Sequence, residues 1–129
     1  MTDTEDPRRQ RGKDMMKQVY GWDIDNVAGD FVELTVDHLF GDVWANGSLS
    51  VRERRLLLIG LLVGSGLDDV VGLQLDCATN IGELSEAELR EMVIFLAHYA
   101  GWPRAAKFNQ KVEELAARRA KAAAKAPKP

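Results

Sequence analysis

The chain has 129 residues, 46% of them hydrophobic and 29% charged, which is typical of one folded globular domain. Its net charge of −3 provides no basic field for a phosphate backbone, so we expect no nucleic-acid partner. Even the apolar stretch 56–63 is far shorter than the roughly 20 residues of a membrane span, and a single cysteine excludes an internal disulfide. We therefore expect a cytoplasmic protein that makes no membrane contact.

The composition divides the chain into three parts. Residues 1–10 are a polar leader, and residues 11–116 carry the helical periodicity of one all-α domain. Residues 117–129 form a basic tail rich in alanine, lysine and proline, which we expect to be disordered. Strand patterns are nearly absent, so the pattern predicts about six helices.

Two helices are predicted in the first part of the domain. Residues 8–20 form a short helix that ends at Gly21, since glycine is common just after a helix. The next helix begins at Asp30 and ends at Gly41. Residues 42–47 are predicted to be a loop or turn.

The third helix is predicted to lie at the centre of the fold. Ser50 and Glu53 have the spacing of a capping box, which marks its start. Residues 56–63 are apolar all round, which indicates burial on every side. Such a surplus of apolar helix surface favours an oligomer in which the helix is covered completely.

Three more helices complete the predicted bundle. The chain breaks at residues 64–66, and Asp68 is in the first turn of a helix that ends near Gly82. A second capping box, Ser85 with Glu88, opens the fifth helix. The last helix starts near Pro103 and fades into the tail.

Several short motifs occur along the chain in a fixed order. They are Arg11-Gly12, Phe40-Gly41-Asp42-Val43-Trp44, Leu49-Ser50-Val51-Arg52-Glu53-Arg54, Asn80-Ile81-Gly82, Glu88-Leu89-Arg90-Glu91 and Tyr99-Ala100-Gly101-Trp102-Pro103. Over roughly residues 8–115 they resemble the carboxymuconolactone decarboxylase family, which is related to the AhpD-like alkylhydroperoxidases. Glu83 looks like a one-residue insertion in this pattern. The resemblance implies an all-α, AhpD-like helical bundle that needs no cofactor and assembles as a homotrimer or homohexamer.

The chain departs from the family at the positions that usually carry chemistry. For the peroxidase branch, the resemblance places the two cysteines at Leu67 and Val70, the glutamate at Arg55 and the histidine at Gln74. A two-cysteine peroxidase is therefore excluded for this chain, because no nucleophilic and resolving thiol pair is present. In the decarboxylase branch, a glutamate and a histidine are expected at Val70 and Gln74, and glutamine does not exchange protons near neutral pH.

A small pocket is the predicted site, and we expect it to bind a cyclic or aromatic carboxylic acid or lactone. Its candidate residues are Trp44, Asp42, Gln74, Cys77 and Tyr99, with His98 as the candidate catalytic base, and Arg52 and Arg54 as carboxylate-binding or interface residues. Two histidines without clustered carboxylates or thiols give no metal-site signature, and we expect no metal.

Each candidate has a plainer structural interpretation. Trp44 could cap the core, Gln74 could be a hydrogen-bonded structural amide, and Cys77 could be a small buried hydrophobe. His98 lies off the main apolar stripe of its helix, which favours an exposed or interface position over a general base. The arginines are at a helix start, which is unfavourable for cations, and pairing across a subunit interface would explain them.

Three functions remain at this stage. The leading hypothesis is a cofactor-free, decarboxylase-like lyase. The alternative is a catalytically silent family member that acts as an oligomeric binding or scaffold protein. The third is a peroxidase that uses Cys77 alone, which the missing second cysteine disfavours.

Overall fold

The computed structural model describes residues 6–126, and all regular secondary structure in that range is helical. The helices are α1 (Pro7–Tyr20), α2 (Asp30–Leu34), a π-helix (Thr35–Trp44), α3 (Val51–Gly64), α4 (Asp68–Asn80), α5 (Glu86–Ala100) and α6 (Trp102–Lys125). The described residues form two compact units, and the boundary between Arg54 and Arg55 lies within α3. The prediction of an all-α bundle of about six helices is confirmed.

In the first unit, α1 packs against the π-helix at very close range. A side chain at Gly12 would place its Cβ 1.9 Å from the carbonyl oxygen of Val36, and one at Gly41 would lie 2.8 Å from that of Arg8. Only hydrogen fits in both places, so the two glycines allow the backbones to meet. The buried residues of this unit, Met16, Val19, Val36, Phe40 and Trp44, surround the contact.

The predicted end of the second helix at Gly41 is wrong. The helix continues through Trp44, and residues 35–44 have π-helical geometry, which is rare over such a length. Tertiary contacts account for the extension. Asp42 is held by Arg8 and Arg11 of α1, and the Gly41 carbonyl accepts a 2.6 Å hydrogen bond from Arg11 Nε.

In the second unit, the core lies between α3, α4, α5 and α6. Its fully buried members include Ile59, Val71, Leu75, Leu89, Phe108 and Val112. The predicted burial of residues 56–63 on every side does not occur within one chain. Leu57 and Leu61, one turn apart on α3, are each 65% exposed.

The two predicted capping boxes are present. The Ser50 hydroxyl accepts from the Glu53 amide at 3.0 Å, and the Glu53 carboxylate accepts from the Ser50 amide at 2.8 Å. The Ser85 and Glu88 pair shows the same reciprocal bonds at 3.1 and 3.0 Å. These caps satisfy backbone donors that helix geometry leaves free.

Helices extend into both of the predicted flanking segments, the polar leader and the basic tail. α1 begins at Pro7, inside the predicted leader, and α6 continues to Lys125, inside the predicted disordered tail. Alanine is the strongest helix former, and Arg118 pairs with Asp76 of α4 at 2.7 Å, which anchors the extension. Residues 1–5 and 127–129 of the predicted leader and tail lie outside the described residues.

Candidate functional site

The second unit contains a buried polar cluster of Arg55, Gln74 and Glu83. Arg55 is fully buried and Gln74 is 1% exposed. Arg55 donates from Nε and Nη2 to the two carboxylate oxygens of Glu83, at 3.3 and 3.1 Å. Its Nη1 donates to Gln74 Oε1 at 2.8 Å. The guanidinium is therefore held in a fixed plane by a carboxylate and an amide.

Three separate elements bring these side chains together. Arg55 is on the face of α3 that also carries Ile59, Leu62 and Val63, all of which are buried. Gln74 lies on the buried side of α4, next to Leu75. Glu83 is in the turn after α4.

The turn that carries Glu83 has a fixed backbone. Gly82 adopts a left-handed conformation (φ 73°), which glycine allows without strain. The Glu83 amide donates to the Ala78 carbonyl at 2.9 Å, and the next residue, Leu84, is buried. The backbone at Glu83 is therefore held from both sides, and its carboxylate reaches Arg55 from this anchored turn.

A buried guanidinium has a clear chemical preference. It is always charged in proteins, and burial without a counter-ion is very unfavourable. Its planar fork of donors matches the two oxygens of a carboxylate. The cluster is therefore built to hold one carboxylate group, and Glu83 occupies that position in the present structure.

Cys77 lies on the same helix as Gln74, three residues further on, and is buried. Burial raises the pKa of the Cys77 thiol, although the positive charge of Arg55 partly opposes this. A buried thiol with a raised pKa stays protonated near neutral pH and is a poor nucleophile. This environment does not favour a peroxidase based on Cys77.

Gln74 is a hydrogen-bonded amide, and it also faces the only charged side chain among the buried residues of the described range, Arg55. This agrees with the interpretation of Gln74 as a structural amide, and its role towards a ligand stays a prediction. A structural amide that orients the guanidinium would also orient any ligand that the guanidinium holds.

Asp42 belongs to the first unit, where it is part of a network of charged groups. It accepts from Arg8 Nε and Nη2 at 2.9 and 2.6 Å and from Arg11 Nη2 at 3.2 Å, and His38 Nδ1 lies 3.1 Å away. The hydrogen bonds from Arg8 and then from His38 lower the pKa of Asp42 to about 2. It is consequently an anion at neutral pH and does not transfer protons there.

Trp44, also in the first unit, is 7% exposed and stacks on Phe40 at 5.8 Å between ring centroids. Within one chain it therefore packs into the core, in line with the plainer interpretation of this residue.

His98 and Tyr99 are exposed on α5 of the second unit, and Tyr99 is 80% exposed. His98 Nδ1 lies 2.8 Å from the Ile94 carbonyl, and since a carbonyl only accepts, Nδ1 carries the proton. The His98 ring meets Trp102 edge-on at 5.8 Å, and Trp102 also lines an apolar groove of about 210 Å³ between α5 and α6. One chain thus places His98 at its surface, while Gln74 and Cys77 are buried.

Arg52 and Arg54 are at the start of α3. Arg52 is exposed, and Arg54 is half-buried and donates to the Leu49 carbonyl. Arg55, the next residue, is the arginine that enters the protein interior. Neither Arg55 nor Glu83 was predicted from the sequence to be a site residue. The signal for Arg55 was its helical spacing with Ile59 and Leu62, whereas Glu83 had no local signal.

Two further observations bear on the class of site. Within residues 6–126, no three histidine, cysteine, aspartate or glutamate side chains are grouped so that they could hold a metal ion. In the same range, no helix has the length and apolarity needed to cross a bilayer. The fold and the site together describe an all-helical protein with a buried carboxylate-binding guanidinium.

The comparisons with known proteins identify the family. The model of the carboxymuconolactone decarboxylase family matches residues 29–114, and the chain therefore belongs to this family. A nitrosuccinic acid decarboxylase of Metarhizium robertsii is 37% identical over 71 residues, which cover 55% of this chain and 49% of the relative. The 4-carboxymuconolactone decarboxylase of Acinetobacter baylyi is 28% identical over 86 residues, which cover 67% of this chain and 63% of that protein. The chain thus spans about half of the length of the first relative and less than two thirds of the length of the second.

Proposed function

We propose that this protein is a cofactor-free, decarboxylase-like lyase that acts on a small carboxylic acid or lactone, with Arg55 as the group that binds the substrate carboxylate. The observation that carries the proposal is the buried guanidinium of Arg55, which binds the Glu83 carboxylate and the Gln74 amide. The family and the names of the two relatives support the reaction class.

The chemistry requires a carboxylate to be held away from water. Loss of CO2 breaks the bond between the carboxyl carbon and its neighbour, and the electron pair remains on that neighbour until a proton is added. Bidentate binding by Arg55 would orient the leaving carboxylate, and Gln74 would keep the guanidinium in plane. His98 remains the candidate general base, because Nδ1 donates to the Ile94 carbonyl and Nε2 is then the ring nitrogen that carries the lone pair.

We also propose that the active form is a homotrimer or homohexamer in the cytoplasm. The second unit exposes several large apolar side chains that water disfavours, namely Leu57, Leu61, Ile94, Phe95, Tyr99 and Trp102. Association through these residues would cover α3 and α5 and would place His98 in an interface. Light scattering on the purified protein gives the mass directly, and a monomer at micromolar concentration would contradict this part of the proposal.

A second candidate function has its own support. The resemblance to the family places its acid and base positions at Val70 and Gln74, and Arg55 already has a carboxylate partner in Glu83. A catalytically silent family member that binds a ligand or serves as a scaffold would have these features.

The experiment that decides between the two is an assay of CO2 release from a panel of small carboxylic acids, including nitrosuccinate and 4-carboxymuconolactone. Wild type is compared with Arg55→Met/Glu83→Met, which removes both buried charges together so that neither is left unpaired. Arg90→Met/Glu113→Met is the matched control, because that pair has a similar fork geometry but is exposed. We expect release that is lost in the first variant and kept in the second. Binding without release would favour the silent protein.

A further inference from the structure

The two charged residues of the buried polar cluster, Arg55 and Glu83, differ in how deeply they are buried. The Arg55 side chain is fully buried, whereas the Glu83 side chain is 10% exposed. Glu83 is therefore the part of the ion pair that reaches solvent. A ligand that approaches the guanidinium from the solvent side would meet the Glu83 carboxylate first.

The charges allow only one carboxylate at this position. Arg55 supplies one positive charge, and it is the only charged residue among the buried residues of the described range. A second carboxylate would add an uncompensated negative charge to a desolvated site, which is strongly unfavourable. Glu83 and a substrate carboxylate therefore exclude each other from Arg55.

Exchange of the two needs only a side-chain movement. The backbone at Glu83 is held by its amide bond to Ala78 and by the burial of Leu84. The Glu83 side chain lies at the edge of the cluster and is 10% exposed, so a change of its rotamer with both backbone anchors kept is the movement that the exchange requires.

We propose that Glu83 is a specificity-determining residue, an internal carboxylate that occupies Arg55 when no ligand is bound and turns to solvent when a substrate carboxylate replaces it. This inference rests on the proposed function, since it takes Arg55 as the group that binds substrate. The ligand must compete with Glu83 for Arg55. Its apparent association constant is therefore the intrinsic association constant multiplied by the fraction of molecules in which Glu83 points to solvent. The competition favours ligands with two oxygens in carboxylate geometry over neutral amides and over single-atom anions.

The test uses chemical rescue of the full chain. Glu83→Ala leaves the guanidinium without its carboxylate, and it should lower the thermal midpoint. Acetate should then restore the midpoint by roughly 3–5 °C at concentrations well above its Kd, whereas acetamide and chloride at equal ionic strength should not. Wild type should respond little to acetate. The matched control, Glu113→Ala, removes the partner of the exposed Arg90 and should show no rescue.

Two results would overturn the inference. One is an acetate response that is equal in wild type, Glu83→Ala and Glu113→Ala, and the other is no response of the folded Glu83→Ala variant. Should Glu83→Ala fail to fold, Glu83→Gln carries the test. Its Kd for an aromatic carboxylate, measured by calorimetry, should be about tenfold lower than that of wild type, and an unchanged Kd would refute the competition.

The outcomes separate this inference from the proposed function. Rescue by acetate with no CO2 release from any acid would retain the competition and remove the decarboxylase. CO2 release with the same kcat/KM in wild type and Glu83→Gln would retain the decarboxylase and remove the role of Glu83.

Discussion

The two units of this protein contain arginine–carboxylate clusters that look alike and differ in burial. In the first unit, Arg8 and Asp42 lie 2.6 Å apart, and their side chains are 42% and 34% exposed. In the second unit, Arg55 and Glu83 lie 3.1 Å apart, and their side chains are 0% and 10% exposed. The Arg8–Asp42 pair is the shorter one, but it is exposed. When it is broken, water solvates both side chains, and no desolvated charge is left. Burial, more than distance, determines which cluster the fold depends on.

The largest effect is expected when the buried cluster is broken on one side. Arg55→Met leaves the Glu83 carboxylate without its counter-ion, and we expect the free energy of unfolding to fall by about 3–5 kcal/mol. Arg55→Met/Glu83→Met should recover most of that loss, because no charge remains buried. Urea denaturation of both variants measures the difference, and the same single change at the exposed Arg90 should cost less than about 1 kcal/mol. Equal losses at Arg55 and Arg90 would mean that burial does not separate the two kinds of pair.

A smaller effect is expected where the backbones of the first unit meet. Gly12→Ala would place a methyl group 1.9 Å from the Val36 carbonyl oxygen, and neither backbone can yield easily. We expect a loss of about 1–3 kcal/mol, together with weaker pairing of Arg8 and Asp42. Gly60→Ala in α3 is the control, since nothing lies within 4 Å of that position and alanine favours the helix by up to about 1 kcal/mol. A stable Gly12→Ala protein would show that α1 packs differently.

The smallest effect is expected at the exposed cluster, and it disappears in acid. Asp42 has a pKa lowered from 3.8 to about 2, chiefly by the hydrogen bonds from Arg8 and then from His38. A depressed pKa contributes stability above the unfolded value, and that contribution is lost as the pH falls from about 4 towards 2. Asp42→Asn should therefore lower the thermal midpoint slightly at pH 7, because the pair is exposed, and the two midpoints should converge as the pH falls towards 2, so that the decline of the variant is flatter. A variant whose midpoint falls with pH as steeply as that of wild type would contradict the assignment.

Much of the helical structure could be read from local patterns. The Ser50 and Ser85 capping boxes marked two helix starts, and Gly21 marked the end of α1. The same rules failed at Gly41, because the contacts of Asp42 with Arg8 and Arg11 continue the helix. They also overestimated the burial of α3, whose apolar residues Leu57 and Leu61 are not covered within one chain.

The residues of the candidate site could be predicted only in part from the sequence. Gln74 was chosen for its apolar neighbours, and it does lie in the buried cluster. Arg55 was noted only as a position that differs from the related peroxidases, and Glu83 only as an insertion. Since these two residues are 28 positions apart, no local pattern connects them.

The sequence by itself determined the helical class, most of the helix limits and the family, because capping and periodicity depend on residues within about one turn of each other. The tertiary structure decided the pairing of Arg55 with Gln74 and Glu83, the π-helical extension to Trp44 and the exposure of His98. These depend on which distant segments pack together, and a buried charge can be satisfied only by the group that packing brings to it.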